Sequence, residues 1–200
     1  MKELAVHRWP GPAPAPQDGL FAILLDTARS TAGGGSANAQ RDGARRHLRH
    51  ATREALAAVL RLPLEDISIA SDPGAPPRIL LAGRQTGIGC SFTHEGSHSL
   101  AAVNLQGSIG ADIMRVQDIP DWQMVSHDYL SPAITIAIQA LPAAERPRSL
   151  AKAWTQREAA LKYHAQHLSE WQADLPGLSI SLVLPVPGLT GHIHIGDKQA

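Results

Sequence analysis

The chain has 200 residues, 44% hydrophobic but only 4% aromatic, which excludes an extended disordered protein and supplies one sizeable core, or two small fused ones, resting on Leu, Ile, Val and Ala. Eighteen Lys and Arg balance eighteen Asp and Glu, so no whole-protein field exists for nucleic acid or an anionic membrane, and any basic site must be local. A single cysteine, Cys90, excludes an internal disulfide and fits a reducing compartment. The opening stretch MKELAVHRWPGPAPAP has no secretory apolar run, and no run in the chain approaches the ~20 residues of a bilayer span. A soluble, cytoplasmic protein is expected.

In chain order, residues 10–19, alternating Pro and Ala, and 30–44, with Gly33-Gly34-Gly35, read as mobile connections. Between them, 20–25 (LFAILL) reads as a short buried strand. Residues 44–62 carry Leu48, Ala51, Ala55, Leu56, Val59 and Leu60 at the helical period, and Pro63 ends that helix. Alternation in 67–70, 87–93, 100–105 and 109–116, with turn chemistry at Asp72-Pro73-Gly74, Glu95-Gly96-Ser97 and Gln106-Gly107-Ser108, predicts hairpins. Residues 117–132 show neither period and read as an apolar loop. A second amphipathic helix covers 149–168, with Leu150, Ala153, Trp154, Leu161 and Leu168 on its stripe, and 178–184 with 191–195 closes the chain as a hairpin. A helix followed by strands in each half makes the class α+β, divided at 1–105 and 106–200.

Strand alternation puts Ile109, Ala111 and Ile113 on one face and Gly110, Asp112 and Met114 on the other. Asp112 is then either a solvated acid on an open sheet face or a carboxylate aimed into a cleft, where it could hold Mg²⁺. Trp154, Glu158 and Lys162 share a helix flank. Glu158 and Lys162 are either a surface i,i+4 pair or a base and metal ligand beside a phosphate-holding cation. Arg157 falls within the apolar stripe, where a guanidinium either wants an anionic partner or snorkels at the helix edge.

Arg45, Arg49 and Arg53 form a ridge that is either solvated or grips phosphates. His94 opens a tight turn, whereas His47, His50, His164 and His167 are expected on exposed helix positions. His192 and His194 share a strand face but lack the further ligands zinc wants. Cys90 reads as a small core residue rather than a nucleophile.

The order of motifs is more specific than any one of them. Gly74-Ala75-Pro76-Pro77-Arg78, Ser91-Phe92-Thr93-His94, Ile109-Gly110-Ala111-Asp112-Ile113 and Trp154-Thr155-Gln156-Arg157-Glu158-Ala159-Ala160-Leu161-Lys162 together resemble the 4′-phosphopantetheinyl transferase superfamily of the Sfp type. The resemblance spans about residues 44–170 and is strongest in the last two motifs. It implies two similar α/β halves fused in one chain, with the active site in the cleft between them. It also implies transfer of the 4′-phosphopantetheine arm of coenzyme A to a serine of an acyl or peptidyl carrier protein, as in a holo-acyl-carrier-protein synthase. Mg²⁺ is the implied metal, adenosine 3′,5′-bisphosphate the leaving product, and a monomer the expected state.

By position, Asp112 and Glu158 match the metal ligands, and Glu158 and Lys162 the catalytic pair. Lys162 matches the lysine near the scissile phosphate and His94 the histidine on the nucleotide 3′-phosphate. Arg45, Arg53, Arg78 and Thr93 join His94 and Lys162 as candidate coenzyme A contacts. Met114 stands where the fuller pattern has a second metal carboxylate, Glu95 puts an acid beside His94, and Ala75 lacks the charge of a G-K-P element. These departures keep a second reading open: a non-catalytic module that binds coenzyme A or a carrier protein through a weakened metal site. A nucleic-acid binder is disfavoured by neutral charge and few aromatics. Trp122, Met124 and Tyr129, in the stretch after the Asp112 strand, are the expected carrier-protein contacts, with folding back into the core as the other possibility.

Overall fold

The computed structural model describes residues 3–27, 37–72 and 74–197. Among them are nine strands in one sheet and four α-helices. The strands are β1 (Glu3–Arg8), β2 (Leu20–Asp26), β3 (Ile67–Ala70), β4 (Arg78–Leu81), β5 (Arg84–Glu95), β6 (His98–Asn104), β7 (Gly110–Arg115), β8 (Leu178–Val183) and β9 (Leu189–Ile195). The helices are α1 (Ala37–Leu60), α2 (Trp122–Tyr129), α3 (Pro132–Gln139) and α4 (Arg146–Tyr163). The sheet order is β3-β4-β5-β6-β2-β1-β8-β9-β7. β1 lies parallel to both β2 and β8, and every other pairing is antiparallel. β1 therefore carries the sheet across the division placed at residue 105.

β2 shows why its six apolar residues run without interruption. Phe21, Ile23 and Leu25 face one core, under Leu48, Ala51, Ala55 and Leu56 of α1. Leu20, Ala22 and Leu24 face a second core with Leu4, Ile109, Ala111, Ile113, Ile180 and Ile193. A strand covered on both faces needs no polar alternation. Cys90 belongs to the α1 core, where burial pushes its thiol up to about 12, so it stays protonated and inert.

The structure changes several expected elements. α1 begins seven residues early, so 37–44 is helix; 30–36, the rest of that expected connection, lies outside the described residues. Residues 10–19 form the irregular crossover from β1 to the parallel β2, closed by a Gln17–Leu20 bridge. β1 and β4 were not anticipated; β4 follows two prolines.

The stretch read as an apolar loop contains α2 and leads directly into α3. Ser131 caps α3, its Oγ accepting from the Ile134 amide at 3.1 Å, with Pro132 at the first helical position. A third small core of Leu130, Ile138 and Leu150, with Trp122 and Trp154 against it, joins α2, α3 and α4.

α4 stops at Tyr163, so Leu168 lies beyond it and is exposed. Ala165 takes a left-handed φ of 53°. The Gln166 amide donates to the Leu161 carbonyl at 2.9 Å and the Ala165 amide to Lys162 at 3.3 Å. This double closure normally uses glycine, and alanine hides it from sequence reading. His167 is consequently not helical, and His164 is the capping residue, its Nε2 2.9 Å from the Pro176 carbonyl oxygen.

Candidate active site

α4 lies directly on β7. A Cβ built on Gly110 would overlap the Ala159 carbonyl oxygen and crowd the Tyr163 amide nitrogen. Only glycine lets the helix backbone approach this closely. The approach sets the last turns of α4, with Glu158 and Lys162, beside the next residue on the same face of β7, Asp112.

Asp112 is buried, with 8% of its surface exposed, so it is not a solvated acid on an open sheet face. Its Oδ1 accepts from the Lys162 ammonium at 2.7 Å and from the Thr93 hydroxyl at 2.8 Å. Lys162 Nζ also donates to the Ala111 carbonyl at 3.1 Å. Alternate residues of β5 thus hold β7: the Ser91 hydroxyl accepts from the Ala111 amide at 3.0 Å, two residues before Thr93 grips Asp112.

Glu158 is half-buried, and its carboxyl is raised above the usual range, first by burial and then by the negative charge of Asp112, with Lys162 and Arg157 opposing. Glu158 and Lys162 are therefore not a surface pair. Lys162 is spent on Asp112, and Glu158 is left as a partly desolvated carboxyl beside a second one.

A cavity of about 880 Å³ opens at this centre. Asp112, Lys162, Thr93 and His94 line it, with Arg41, Arg45 and Arg49 of α1. Its β2 end is built by Thr27, whose amide and hydroxyl both donate to the Ser97 carbonyl, at 2.7 and 2.9 Å. Charge is thus sorted within the cavity, with one buried acid and ammonium at β7 and guanidinium groups along α1.

The structure brings Thr93, His94, Asp112, Lys162 and Arg45 to one cavity, with Glu158 in electrostatic contact with the centre. It does not bring Arg53 or Arg78 there. Arg53 Nε donates to the Ile67 carbonyl at 2.6 Å and Nη2 to Leu64 at 3.0 Å, tying α1 to β3. Arg78, on β4, pairs with Asp72 at 2.6 Å and does not line the cavity. Four residues per step against 3.6 per turn rotates the ridge slowly around α1, so Arg53 ends on the packed side. Arg41 was missed because residues 37–44 read as a connection; i−4 from Arg45 is the signal that could have found it. Ser91 stands in its motif without a role of its own, because a serine accepting from a neighbouring strand leaves no mark on its own sequence.

Residues 108–183 match the model of the 4′-phosphopantetheinyl transferase superfamily. That stretch contains β7, α2, α3, α4 and β8, hence Asp112, Glu158 and Lys162. No curated protein matches the chain. The superfamily match points to a transferase of the phosphopantetheine arm in general, and such enzymes act on carrier proteins generally. No helix among the described residues is long and apolar enough to cross a membrane.

The remaining polar candidates are structural. His192 sits buried between the Thr155 hydroxyl, 2.8 Å from Nδ1, and the Ser181 hydroxyl, 3.2 Å from Nε2. Burial, then Lys152, lowers it to about 4, so it is neutral. His194 Nε2 shares the Pro176 carbonyl with His164, at 3.0 Å, and burial lowers its pKa as well. Among the described residues Arg157 makes no ion pair, although its charge acts on Glu158; its Nη1 donates to the Ala173 carbonyl at 3.1 Å and fastens residues after α4 to the helix.

Proposed function

We propose that the chain transfers the 4′-phosphopantetheine arm of coenzyme A to a serine of an acyl or peptidyl carrier protein, with Mg²⁺. The active site is then the large cavity, read as the cleft between two similar α/β halves, 1–105 and 106–200. The observation that carries this reading is the convergence on one cavity of Asp112 and Lys162 with Thr93, His94 and the α1 arginines, beside the half-buried Glu158. Its volume lies within the ~300–1,000 Å³ of small-molecule sites.

The donor set fits a hard divalent ion. Asp112 depresses the ionisation of Glu158, and two neighbouring carboxylates that oppose each other's charge are relieved by a cation between them. The described residues contain no cluster of three ligating side chains, and Met114 supplies none. Two carboxylates nevertheless suffice for an ion that keeps several waters and phosphate oxygens. Asp112 and Glu158 would hold Mg²⁺, which when bound neutralises the pyrophosphate and acts as a Lewis acid on it.

The protein groups carry the rest. The serine Oγ forms a bond to phosphorus as the pyrophosphate P–O bond breaks, and adenosine 3′,5′-bisphosphate departs. Glu158 accepts the serine proton, directly or through water. Lys162 turns its ammonium toward the developing phosphate charge, with Asp112 orienting it. His94, Arg45 and Arg49 hold the nucleotide phosphates; Arg53 and Arg78 have structural partners and drop out of that set.

The acceptor side narrows too. Trp122 packs in the third core with the Arg146 guanidinium 6.0 Å from its ring, and Tyr129 meets Trp154 edge-on at 6.1 Å. Met124 is 62% exposed and Trp122 and Tyr129 are half-buried, so of the three expected carrier contacts Met124 offers a partner the most surface.

The test is mass spectrometry of an apo carrier protein after incubation with the chain, coenzyme A and Mg²⁺. Appearance of the phosphopantetheine adduct is expected. Binding of coenzyme A or carrier without the adduct favours the second reading, a non-catalytic binding module, whose supporting observation is Met114 in place of a metal carboxylate. A panel of carrier proteins in the same assay assigns the acceptor.

A further inference from the structure

Thr93 and His94 stand side by side in one motif, and both line the large cavity. They differ in what each has left to give a ligand. His94 is exposed at the end of β5. Thr93 is only 6% exposed, and its hydroxyl donates to Asp112 Oδ1 at 2.8 Å.

A hydroxyl carries one proton and two lone pairs. Once that proton lies on Asp112, the Thr93 oxygen meets any further group as an acceptor only. An ionised phosphate is also acceptor-only, so contact between them would set lone pair against lone pair. Thr93 can therefore serve Asp112 or a phosphate, but not both. Its burial and the short charge-assisted bond decide for Asp112.

The surrounding frame gives that bond a consequence. Ser91, two residues earlier on β5, accepts from the Ala111 amide at 3.0 Å and fixes the backbone of β7 next to Asp112. Thr93 then fixes the side chain. Oδ1 takes the Lys162 ammonium at 2.7 Å as well as the Thr93 hydroxyl, which fills its two lone-pair positions, and no described residue donates to Oδ2. The two donors thus decide which oxygen of Asp112 is left for a cation. We infer that Thr93 is a positioning residue that orients the Asp112 carboxylate, and not a contact of coenzyme A. The inference rests on the transferase reading and divides its motif into two roles, His94 for the nucleotide and Thr93 for the acid.

The experiment compares Thr93→Val, which keeps the shape and removes the hydroxyl, with Thr93→Ser, which keeps the hydroxyl, and with His94→Ala. In calorimetric titration with coenzyme A and no metal, Thr93→Val should stay within about twofold of the unaltered chain while His94→Ala weakens about tenfold. In titration with Mn²⁺, read by electron paramagnetic resonance, Thr93→Val should weaken about tenfold and Thr93→Ser should restore the affinity. The carboxyl ¹³C resonance of Asp112 should move in Thr93→Val and return in Thr93→Ser. That last comparison needs no ligand: if the unaltered chain binds no coenzyme A, the transferase reading fails while the resonance still decides what Thr93 does. Coenzyme A affinity lost in Thr93→Val as in His94→Ala, Mn²⁺ affinity or the Asp112 resonance unmoved in Thr93→Val, or no rescue by serine would each overturn the inference. Should Thr93→Val not fold, NMR of the unaltered chain decides. Saturation with adenosine 3′,5′-bisphosphate should leave the Thr93 hydroxyl proton on Asp112, and its transfer to the nucleotide would overturn the inference.

Discussion

The β7–α4 wall of the large cavity and its α1 wall use charge in different ways. Asp112 is nearly enclosed and shared by the Lys162 ammonium and the Thr93 hydroxyl, on a strand that α4 touches backbone to backbone. Arg45 is exposed, and its ion-pair partner is the equally exposed Asp42 at 3.7 Å on the same helix. A buried, cross-linked charge has one geometry and no solvent to replace a lost partner. An exposed guanidinium has many geometries and water around all of them. Under the proposed function, chemistry that needs a fixed atom belongs on the first wall, and capture of a phosphate by summed charge on the second.

The largest effect that follows is on transfer activity. Under the proposed function, Asp112→Ala leaves the Lys162 ammonium without its orienting carboxylate and should lower transfer at least about a hundredfold, measured by mass spectrometry on folded protein. Near-full activity would place the chemistry elsewhere and end the distinction between the walls.

One substitution should change sign between them. Gly110→Ala forces α4 off β7 and should cost about 2–4 kcal/mol of unfolding free energy. Gly43→Ala, on α1 with no heavy atom within 4 Å of its new Cβ, should stabilise by about 0.5–1 kcal/mol. Urea unfolding of both variants measures this.

A smaller contrast runs along α1 itself. Arg45→Ala with Arg49→Ala should weaken coenzyme A by about tenfold, less at high salt. Arg53→Ala should leave that affinity unchanged and lower stability by about 1 kcal/mol through the lost bonds to Ile67 and Leu64. Isothermal titration and melting curves separate the two outcomes.

The finest test concerns pH. His192 is depressed to about 4, first by burial and then by Lys152, so its neutral form contributes stability in full above the ordinary imidazole value near 6.5. That contribution is lost as pH falls from there through about 4. Between pH 7 and pH 4 the unaltered chain should lose about 5 °C more in Tm than His192→Gln. Parallel losses would show that the packing of α4 on β9 does not depend on a neutral imidazole.

Much of this was readable locally. The period of 44–60 and the apolar stripe of α4 mark α1 and α4, and the alternation around Asp112 already separated Ile109, Ala111 and Ile113 from the acid. The Ser131-Pro132 start of α3 was present as a capping signal but lay in a stretch whose apolar residues follow no clear period. Arg53 and Arg78 were misplaced for a different reason. Arg53 sits in the arginine ridge and Arg78 closes the Gly74–Arg78 motif, and nothing local distinguishes a guanidinium bound to carbonyls or to Asp72 from one facing a cavity.

By itself, then, the order of residues determined the elements with strong periods and the chemical types Asp112, Glu158 and Lys162 in their motifs, because these depend on spacing within one helix or strand. Only the tertiary structure decided that Asp112 is enclosed, that Lys162 is bound to it, and that Ser91 and Thr93 hold its strand. It alone also decided that Arg41 faces the cavity while Arg53 does not. Those outcomes depend on which strands neighbour which across the sheet, with β7 last in it yet hydrogen-bonded through side chains to β5. Pairings between residues far apart in the chain carry no periodic signal along it.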